Sequence, residues 1–284
     1  MTVSTGQDAE RFRPSSASDV KRRQMKILFR RLGTQWRVIR ALIIRDMMSR
    51  YGRENIGFLW LIAEPVFLIG GVIVLWSILR GESTHGFSVI AFALTGYSML
   101  TLWRHMIGRG PGYLRGNTGI LFHQNVRILD TACAQILMET ISTFLSFLFC
   151  FILLYLLGFV EMVYDPLTMA LAWLMMAGFS GGFGMILGAI VAKSKPVERM
   201  LQPVMYFTLP VTGAFNLVSW LPEQARKFVV WFPMVNAQEM FRAGFVGPRL
   251  TFFYDPWYLF FTTVVCISIG IWMLKRAERT LHVG

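Results

Sequence analysis

Charged residues are scarce in this chain of 284 residues: only 15% are Asp, Glu, Lys or Arg, while 55% are hydrophobic. A soluble globular protein carries roughly 25% charged residues, so this chain cannot cover a surface that faces water. Disordered, collagen-like and coiled-coil classes are also excluded, because each needs a composition that the chain lacks. Most of the chain is therefore expected to face lipid.

Cysteine and histidine are rare as well, with three and four residues. Cys133, Cys150 and Cys266 lie far apart in apolar runs, without the spacing of a zinc site, so we predict that they are small core residues. Zinc-protease helices and nucleophile elbows are missing, as is the Gly-Lys-Ser/Thr tripeptide of a phosphate-binding loop. We expect no catalytic residue, metal or cofactor in this chain.

Long apolar runs are abundant. A helix needs about 20 mostly apolar residues to cross the membrane, and lipid enforces helices because the backbone finds no water to bond. We therefore predict an all-α integral membrane protein with a transmembrane domain over 57–284 and six spanning helices. The spans are expected at about 57–79, 87–102, 131–157, 169–192, 200–218 and 257–274.

The net charge of +12 predicts an orientation. In a soluble protein this charge would suggest nucleic acid, but Lys and Arg of membrane proteins collect in cytoplasmic segments. Of the 28 Lys and Arg residues, 23 lie before the first span, in the loops after the second and fourth spans, or after the sixth. Both termini are therefore predicted to be cytoplasmic, and no nucleic-acid partner is expected.

Two segments at the start of the chain are not spans. Residues 1–34 are polar and basic, which predicts a disordered cytoplasmic tail. Residues 35–56 predict an amphipathic helix at the membrane interface, with arginines that reach lipid headgroups. Its apolar stripe comprises Trp36, Ile39, Ile43 and Met47. A simpler and compatible interpretation is that these basic residues only anchor the first span.

The external region 219–255 is too apolar for a solvated loop. Pro222, Pro233 and Pro248 interrupt it too often for a full span. A re-entrant hairpin of two half-helices around Phe232–Pro233 fits both facts, and a pair of interfacial helices is the alternative.

Two carboxylates and four glycines stand out within the spans. Glu64 and Glu139 are candidate functional residues because charge inside a membrane is unfavourable, and neither has a Lys or Arg within a helical turn. Their partners stay open at this point. The fourth span has small residues at the spacing that allows close helix packing, in the pairs Gly178/Gly182 and Gly184/Gly188.

Several blocks of residues resemble one family. They are Arg50–Trp60 (RYGRENIGFLW) followed by Glu64-Pro65, then His123–Asp130 (HQNVRILD), Gln202–Tyr206 (QPVMY), Trp220–Pro222 and Glu239–Arg242 (EMFR). In this order, from about Gln35 onward, they resemble the ABC-2 polysaccharide-export permeases. The resemblance is greatest to the KpsM-like group, which exports capsular polysaccharide.

The resemblance implies a homodimeric permease of the bacterial inner membrane and not an enzyme. Two copies of a separate cytoplasmic ATPase would bind ATP and Mg, and the substrate would be a lipid-linked polysaccharide. Periplasmic and outer-membrane export proteins are further expected partners.

The resemblance also implies roles for particular residues. A coupling loop over 103–130 would contact the ATPase through a short helix at 116–126, using Asn117, Ile120, Phe122, His123, Gln124 and Asn125. Arg50 and Arg53 would meet the lipid anchor of the substrate. The channel between two copies would be lined by Trp60, Glu64, Tyr206, Phe207, Trp231 and Phe232.

Other functions stay open from the sequence. An O-antigen or teichoic-acid exporter shares the architecture, as does a small drug exporter of the same permease class. An integral-membrane glycan or lipid transferase would need paired carboxylates or a histidine cluster at one membrane face. A secondary transporter would show two related halves with matching broken helices, and only one interrupted segment is present.

Overall fold

The computed structural model describes residues 26, 33–48, 63, 66–67, 69–75, 78, 83–84, 87–115 and 127–281. Helix α1 covers residues 33–48, and residues 69–75 are also helical. A two-residue antiparallel pair follows, β1 (Ser83–Thr84) with β2 (Phe87–Ser88). The remaining helices are α2 (Val89–Arg109), α3 (Gly112–Arg115), α4 (Ile128–Leu156), α5 (Pro166–Lys193), α6 (Lys195–Thr208), α7 (Glu223–Val229), α8 (Pro233–Val246) and α9 (Pro256–Leu281).

Helix α5 is the centre of the bundle, and α2, α8 and α9 pack against it. Its sequence is apolar around the whole circumference, as expected for a helix with neighbours on several sides. The carboxylate of Asp165 caps its first turn by accepting hydrogen bonds from the backbone N–H groups of Leu167 and Thr168. The hydrogen bond from the Thr168 hydroxyl is the largest of the effects that lower the pKa of Asp165.

Glycines let two helices approach α5 closely, which confirms the predicted packing. A Cβ at Gly182 would lie 2.7 Å from the backbone nitrogen of Ile267 in α9, and one at Gly270 would lie 2.6 Å from the Gly182 carbonyl oxygen. Gly184 and Gly188 face the end of α2 instead, against the carbonyls of Met106 and Gly110. The backbones touch at both crossings, so no larger side chain fits.

Three of the described helices are long and apolar enough to cross a membrane: Ile128–Leu156, Pro166–Ala192 and Pro256–Arg279. They match the predicted spans at 131–157, 169–192 and 257–274 to within a few residues. The predicted second span, 87–102, begins in β2 at Phe87–Ser88 and then lies in α2, which continues to Arg109. Most of the predicted first span, 57–79, lies outside the described residues, as do residues 1–25 and 27–32 of the predicted tail.

The prediction of one continuous fifth span over 200–218 is wrong. Helix α6 ends at Thr208 and is followed by a 3-10 turn at Leu209–Thr212. Pro210 has no N–H to continue the α-helix, and Gly213 takes a positive φ of 77° that reverses the chain. Helix α6 has 14 residues, so it is only about 21 Å long.

The region 219–255 contains two helices, α7 and α8, that are separated at Val230–Phe232. This break falls where the sequence predicted it. Pro233 occupies the first turn of α8, where its missing N–H is not needed by the helix.

The predicted cytoplasmic segments meet at one end of the bundle, which we call the basic end. It comprises α1, the last turn of α2, α3, the first turn of α4, the 193–195 junction and the last turns of α9. Gln35 of α1 donates a hydrogen bond of 2.9 Å to Asp130 of α4, and the N–H of Ile128 bonds Glu278 of α9.

One expectation about burial needs correction. Cys150 and Cys266 are buried as predicted, but Cys133 is exposed, because it lies on the outward side of α4. In α1 the buried residues are Leu42 and Asp46, whereas Trp36 of the predicted apolar stripe is exposed. The other stripe residues, Ile39, Ile43 and Met47, are half-buried, so only the first residue of the stripe is exposed, and Leu42 is the buried apolar residue of the helix.

Candidate functional site

The carboxylate of Glu139 joins α4 to α2 near the basic end. Its Oε1 accepts a hydrogen bond from Nε of Arg109 at 3.1 Å, and its Oε2 lies 3.1 Å from Nδ1 of His105. The Glu139 side chain is only 3% exposed. A charge in the interior of a membrane helix is unfavourable unless it is paired, and these two partners satisfy it.

Both partners of Glu139 belong to the last turns of α2, directly before the predicted coupling segment. After Arg109 the chain turns at Gly110–Pro111 into α3. Tyr113 of α3 is fully buried beside Gly184 and Gly188 of α5. The chain therefore enters the 116–126 segment from a point that both α4 and α5 hold in place.

The return point of the same segment is held as well. Ile128 is fully buried, and its N–H donates to Glu278 of α9 at 3.2 Å. Asp130 accepts hydrogen bonds from the N–H of Arg127 and from the side chain of Gln35. A displacement of residues 116–126 would thus act on α2, α4, α9 and α1 together. The segment itself, with Asn117, Ile120, Phe122, His123, Gln124 and Asn125, lies outside the described residues.

Helix α6 presents two of the predicted channel residues. Tyr206 and Phe207 are 58% and 83% exposed, whereas Leu201 and Met205 on the other side of α6 are buried. The guanidinium of Arg104 lies 5.6 Å from the centre of the Tyr206 ring. The outer face of α6 is therefore aromatic and apolar, and nothing in the described chain covers it.

Two more of the six predicted channel residues, Trp231 and Phe232, lie at the break between α7 and α8. Trp231 is 73% exposed, and its carbonyl accepts a 2.6 Å hydrogen bond from the Tyr258 hydroxyl of α9. Phe232 is half-buried and packs against Phe228 with ring centres 5.5 Å apart. Among the described residues no ring contact joins this pair to Tyr206 and Phe207, so a single copy of the chain does not bring the four side chains into contact. Trp60, Glu64, Arg50 and Arg53 lie outside the described residues.

Helix α8 carries a set of fully buried polar side chains that hold the neighbouring loops. Arg242 donates to the carbonyls of Gly213 at 2.8 Å, Ala214 at 2.9 Å and Asn216 at 3.2 Å. Its guanidinium also lies 4.2 Å from the centre of the Phe92 ring of α2. Arg242 thus fixes the loop that follows α6.

Glu239 and Asn236 bind the other connecting segments of this region. The two carboxylate oxygens of Glu239 accept from the N–H groups of Val218 and Phe253, each at 3.2 Å. The amide of Asn236 bonds the Val230 carbonyl and the Asp255 N–H, each at 2.6 Å. The segments on both sides of α8 are thereby tied to one helix.

Sequence reasoning missed the partners of Glu139 and the role of Arg242. The signal for the first was an unpaired carboxylate in one span and two basic residues, His105 and Arg109, one turn apart at the end of another. Arg242 and Glu239 belong to the EMFR block that carries the resemblance, but nothing in its pattern indicated burial. No group of three or more His, Cys, Asp or Glu side chains that could hold a metal occurs in the described part of the chain.

These features define a predominantly helical integral membrane protein, and relatives define its family. The chain is 35% identical over 245 residues to the capsule polysaccharide export inner-membrane protein CtrC of Neisseria meningitidis, an alignment that covers 86% of this chain and 92% of CtrC. It is 33% identical over 248 residues to the capsule polysaccharide export inner-membrane protein BexB of Haemophilus influenzae, covering 87% and 94%. The polysialic acid transport protein KpsM of Escherichia coli is more distant, at 23% identity over 245 residues, covering 86% and 94%.

The chain therefore belongs to the family of capsule polysaccharide export inner-membrane proteins. The resemblance read from the residue blocks is confirmed. No protein-family model matches the chain.

Proposed function

We propose that this chain is the permease subunit of an ATP-driven exporter that moves lipid-linked capsular polysaccharide across the bacterial inner membrane. The observation that carries the proposal is its 35% identity to CtrC over 92% of that protein. ATP would be hydrolysed by a separate cytoplasmic subunit, because no phosphate-binding loop occurs in the 284 residues. Two copies of the chain would work with two copies of that ATPase.

In the proposed topology the chain crosses the membrane six times with both termini in the cytoplasm. The meeting of the basic segments at one end of the bundle supports this orientation. The fifth crossing would consist of α6 and the turns after it. Helices α7 and α8 would form a re-entrant hairpin on the external side, stabilised at membrane depth by the buried bonds of Arg242, Glu239 and Asn236.

ATP-driven movement would reach the membrane through the 116–126 segment. The buried Tyr113 and Ile128 anchor its two ends, so a push by the ATPase would move helices and not a loose loop. The Glu139–Arg109–His105 cluster would carry this movement from the end of α2 into α4.

The polysaccharide would pass between two copies of the chain. Sugars have apolar ring faces, which slide over aromatic side chains without tight, sequence-specific hydrogen bonds. The outward aromatic face of α6 supports this role for Tyr206 and Phe207, and the second copy would bring the Trp231–Phe232 break to the same path. Arg50 and Arg53 would meet the anionic lipid anchor of the substrate.

The coupling assignment can be tested by changing His123, Gln124 and Asn125 to Ala together. We expect capsule export and co-purification of the ATPase to be lost while membrane insertion is unchanged. The matched control changes Glu223, Gln224 and Lys227, which are exposed on α7 at the opposite end, and should retain co-purification. Normal export by the first triple variant would contradict the assignment.

A further inference from the structure

A cavity of about 370 Å³ opens between the end of α5 and the last turns of α9. It is lined by Ala189, Ile190, Ser194, Trp272, Met273 and Arg276. Both helices are long and apolar enough to span a membrane, and the cavity lies where they approach their ends at Ala192 and Arg279. This is the level at which a spanning helix leaves hydrocarbon and meets lipid headgroups.

The guanidinium of Arg276 is available to a ligand at this cavity. It lies 5.5 Å from the centre of the Trp272 ring, an arrangement that leaves the edges of the guanidinium free to donate hydrogen bonds. Within the part of the chain that the structure describes, Arg276 has no ion pair or hydrogen bond. The nearby carboxylate of Glu278 is engaged by the N–H of Ile128.

Ser194 provides a second polar group on the opposite wall. It is the residue before the first turn of α6, and its hydroxyl makes no capping hydrogen bond. The remaining walls, Ala189, Ile190 and Met273, are apolar and suit the first methylenes of an acyl chain.

We propose that this cavity binds the phosphate headgroup of an anionic phospholipid from the surrounding bilayer. Arginine matches phosphate geometry, a serine hydroxyl can donate to a phosphate oxygen, and tryptophan favours the headgroup level. Basic pockets between membrane helices on the cytoplasmic side bind such headgroups. A zwitterionic lipid carries its own cation and would gain less from the guanidinium of Arg276.

The test measures lipid binding to the purified full-length chain in detergent by native mass spectrometry. Phosphatidylglycerol and phosphatidylcholine with identical acyl chains are titrated separately. Inorganic phosphate is titrated as a phosphate ligand that has no acyl chains. We expect the wild type to prefer phosphatidylglycerol, and R276Q to bind it about tenfold more weakly, as loss of a charge-assisted bond predicts. S194A is a second variant on the opposite wall and should weaken binding in the same direction.

The matched control is K275Q, which removes a positive charge from the adjacent exposed residue, outside the cavity lining. It should bind phosphatidylglycerol as the wild type does. Equal losses in R276Q and K275Q, an absence of preference over phosphatidylcholine, or equal binding of inorganic phosphate would each overturn the proposal. The readout is binding and not export, so the site and the proposed export function can fail independently.

Discussion

Glu139 and Arg242 carry charge into nearly dry surroundings, and each is matched by several partners. Their partners could not be read from the sequence, because His105 and Arg109 are 34 and 30 residues from Glu139, and Gly213 is 29 residues from Arg242. Pairing over such distances depends on how the helices pack. The sequence predicted a carboxylate inside a span, but it did not predict which residues pair with it.

Replacing Glu139 by Ala should destabilise the bundle, because Arg109 and His105 lose their acceptor. Arg109 is 35% exposed and can regain water, so we expect a loss of about 2 kcal/mol in unfolding free energy and not the larger value of a fully buried pair. E139Q keeps an oxygen that accepts from Arg109 and should lose less. Chemical unfolding in detergent measures both, and wild-type stability of E139A would contradict the pairing.

Replacing Arg242 by Lys should be harmful although the charge is kept. One ammonium cannot reproduce the planar fork that reaches the carbonyls of Gly213, Ala214 and Asn216. A loss of roughly 2 kcal/mol or more is expected. R249K, at an exposed ion pair with Glu161, is the control and should change stability by less than about 0.5 kcal/mol. Similar thermal unfolding of the two variants would argue against the role of Arg242.

At the scale of helices, the long apolar spans were predictable because lipid leaves a run of about 20 apolar residues only one backbone conformation. The end of α6 was not predicted. The run 200–218 is mostly apolar, and its length outweighed the signals of Pro210 and Gly213, which end the helix. The break before Pro233 was predicted because there proline falls between two shorter apolar segments.

The crossing of α5 and α9 should not tolerate a side chain at Gly182. A Cβ there would lie within 3.0 Å of the backbone of Cys266 and Ile267, so G182V must push the helices apart. We expect a large fall in unfolding temperature and in the yield of folded protein. G108A is the control, because nothing lies within 4 Å of a Cβ at that exposed helical position. A folded, equally stable G182V would show that this crossing is looser than described.

The bundle has the basic end on one side and α7 on the opposite side. The proposed function requires that the basic end faces the cytoplasm. Single cysteines at exposed positions, Q224C on α7 and K275C on α9, can be placed in a chain without its three native cysteines. A membrane-impermeant maleimide should label Q224C in intact spheroplasts and K275C only after permeabilisation. Labelling of both residues from the outside would contradict a cytoplasmic C-terminus.

The central claim is that this chain exports polysaccharide only when a separate ATPase supplies the energy. The most direct measurement reconstitutes the chain with that ATPase in liposomes and follows protection of a lipid-linked capsular polysaccharide from an added glycan hydrolase. Protection should require the chain, the ATPase and ATP together. Protection by the chain alone, or an equal amount when ATP is replaced by a non-hydrolysable analogue, would contradict the claim.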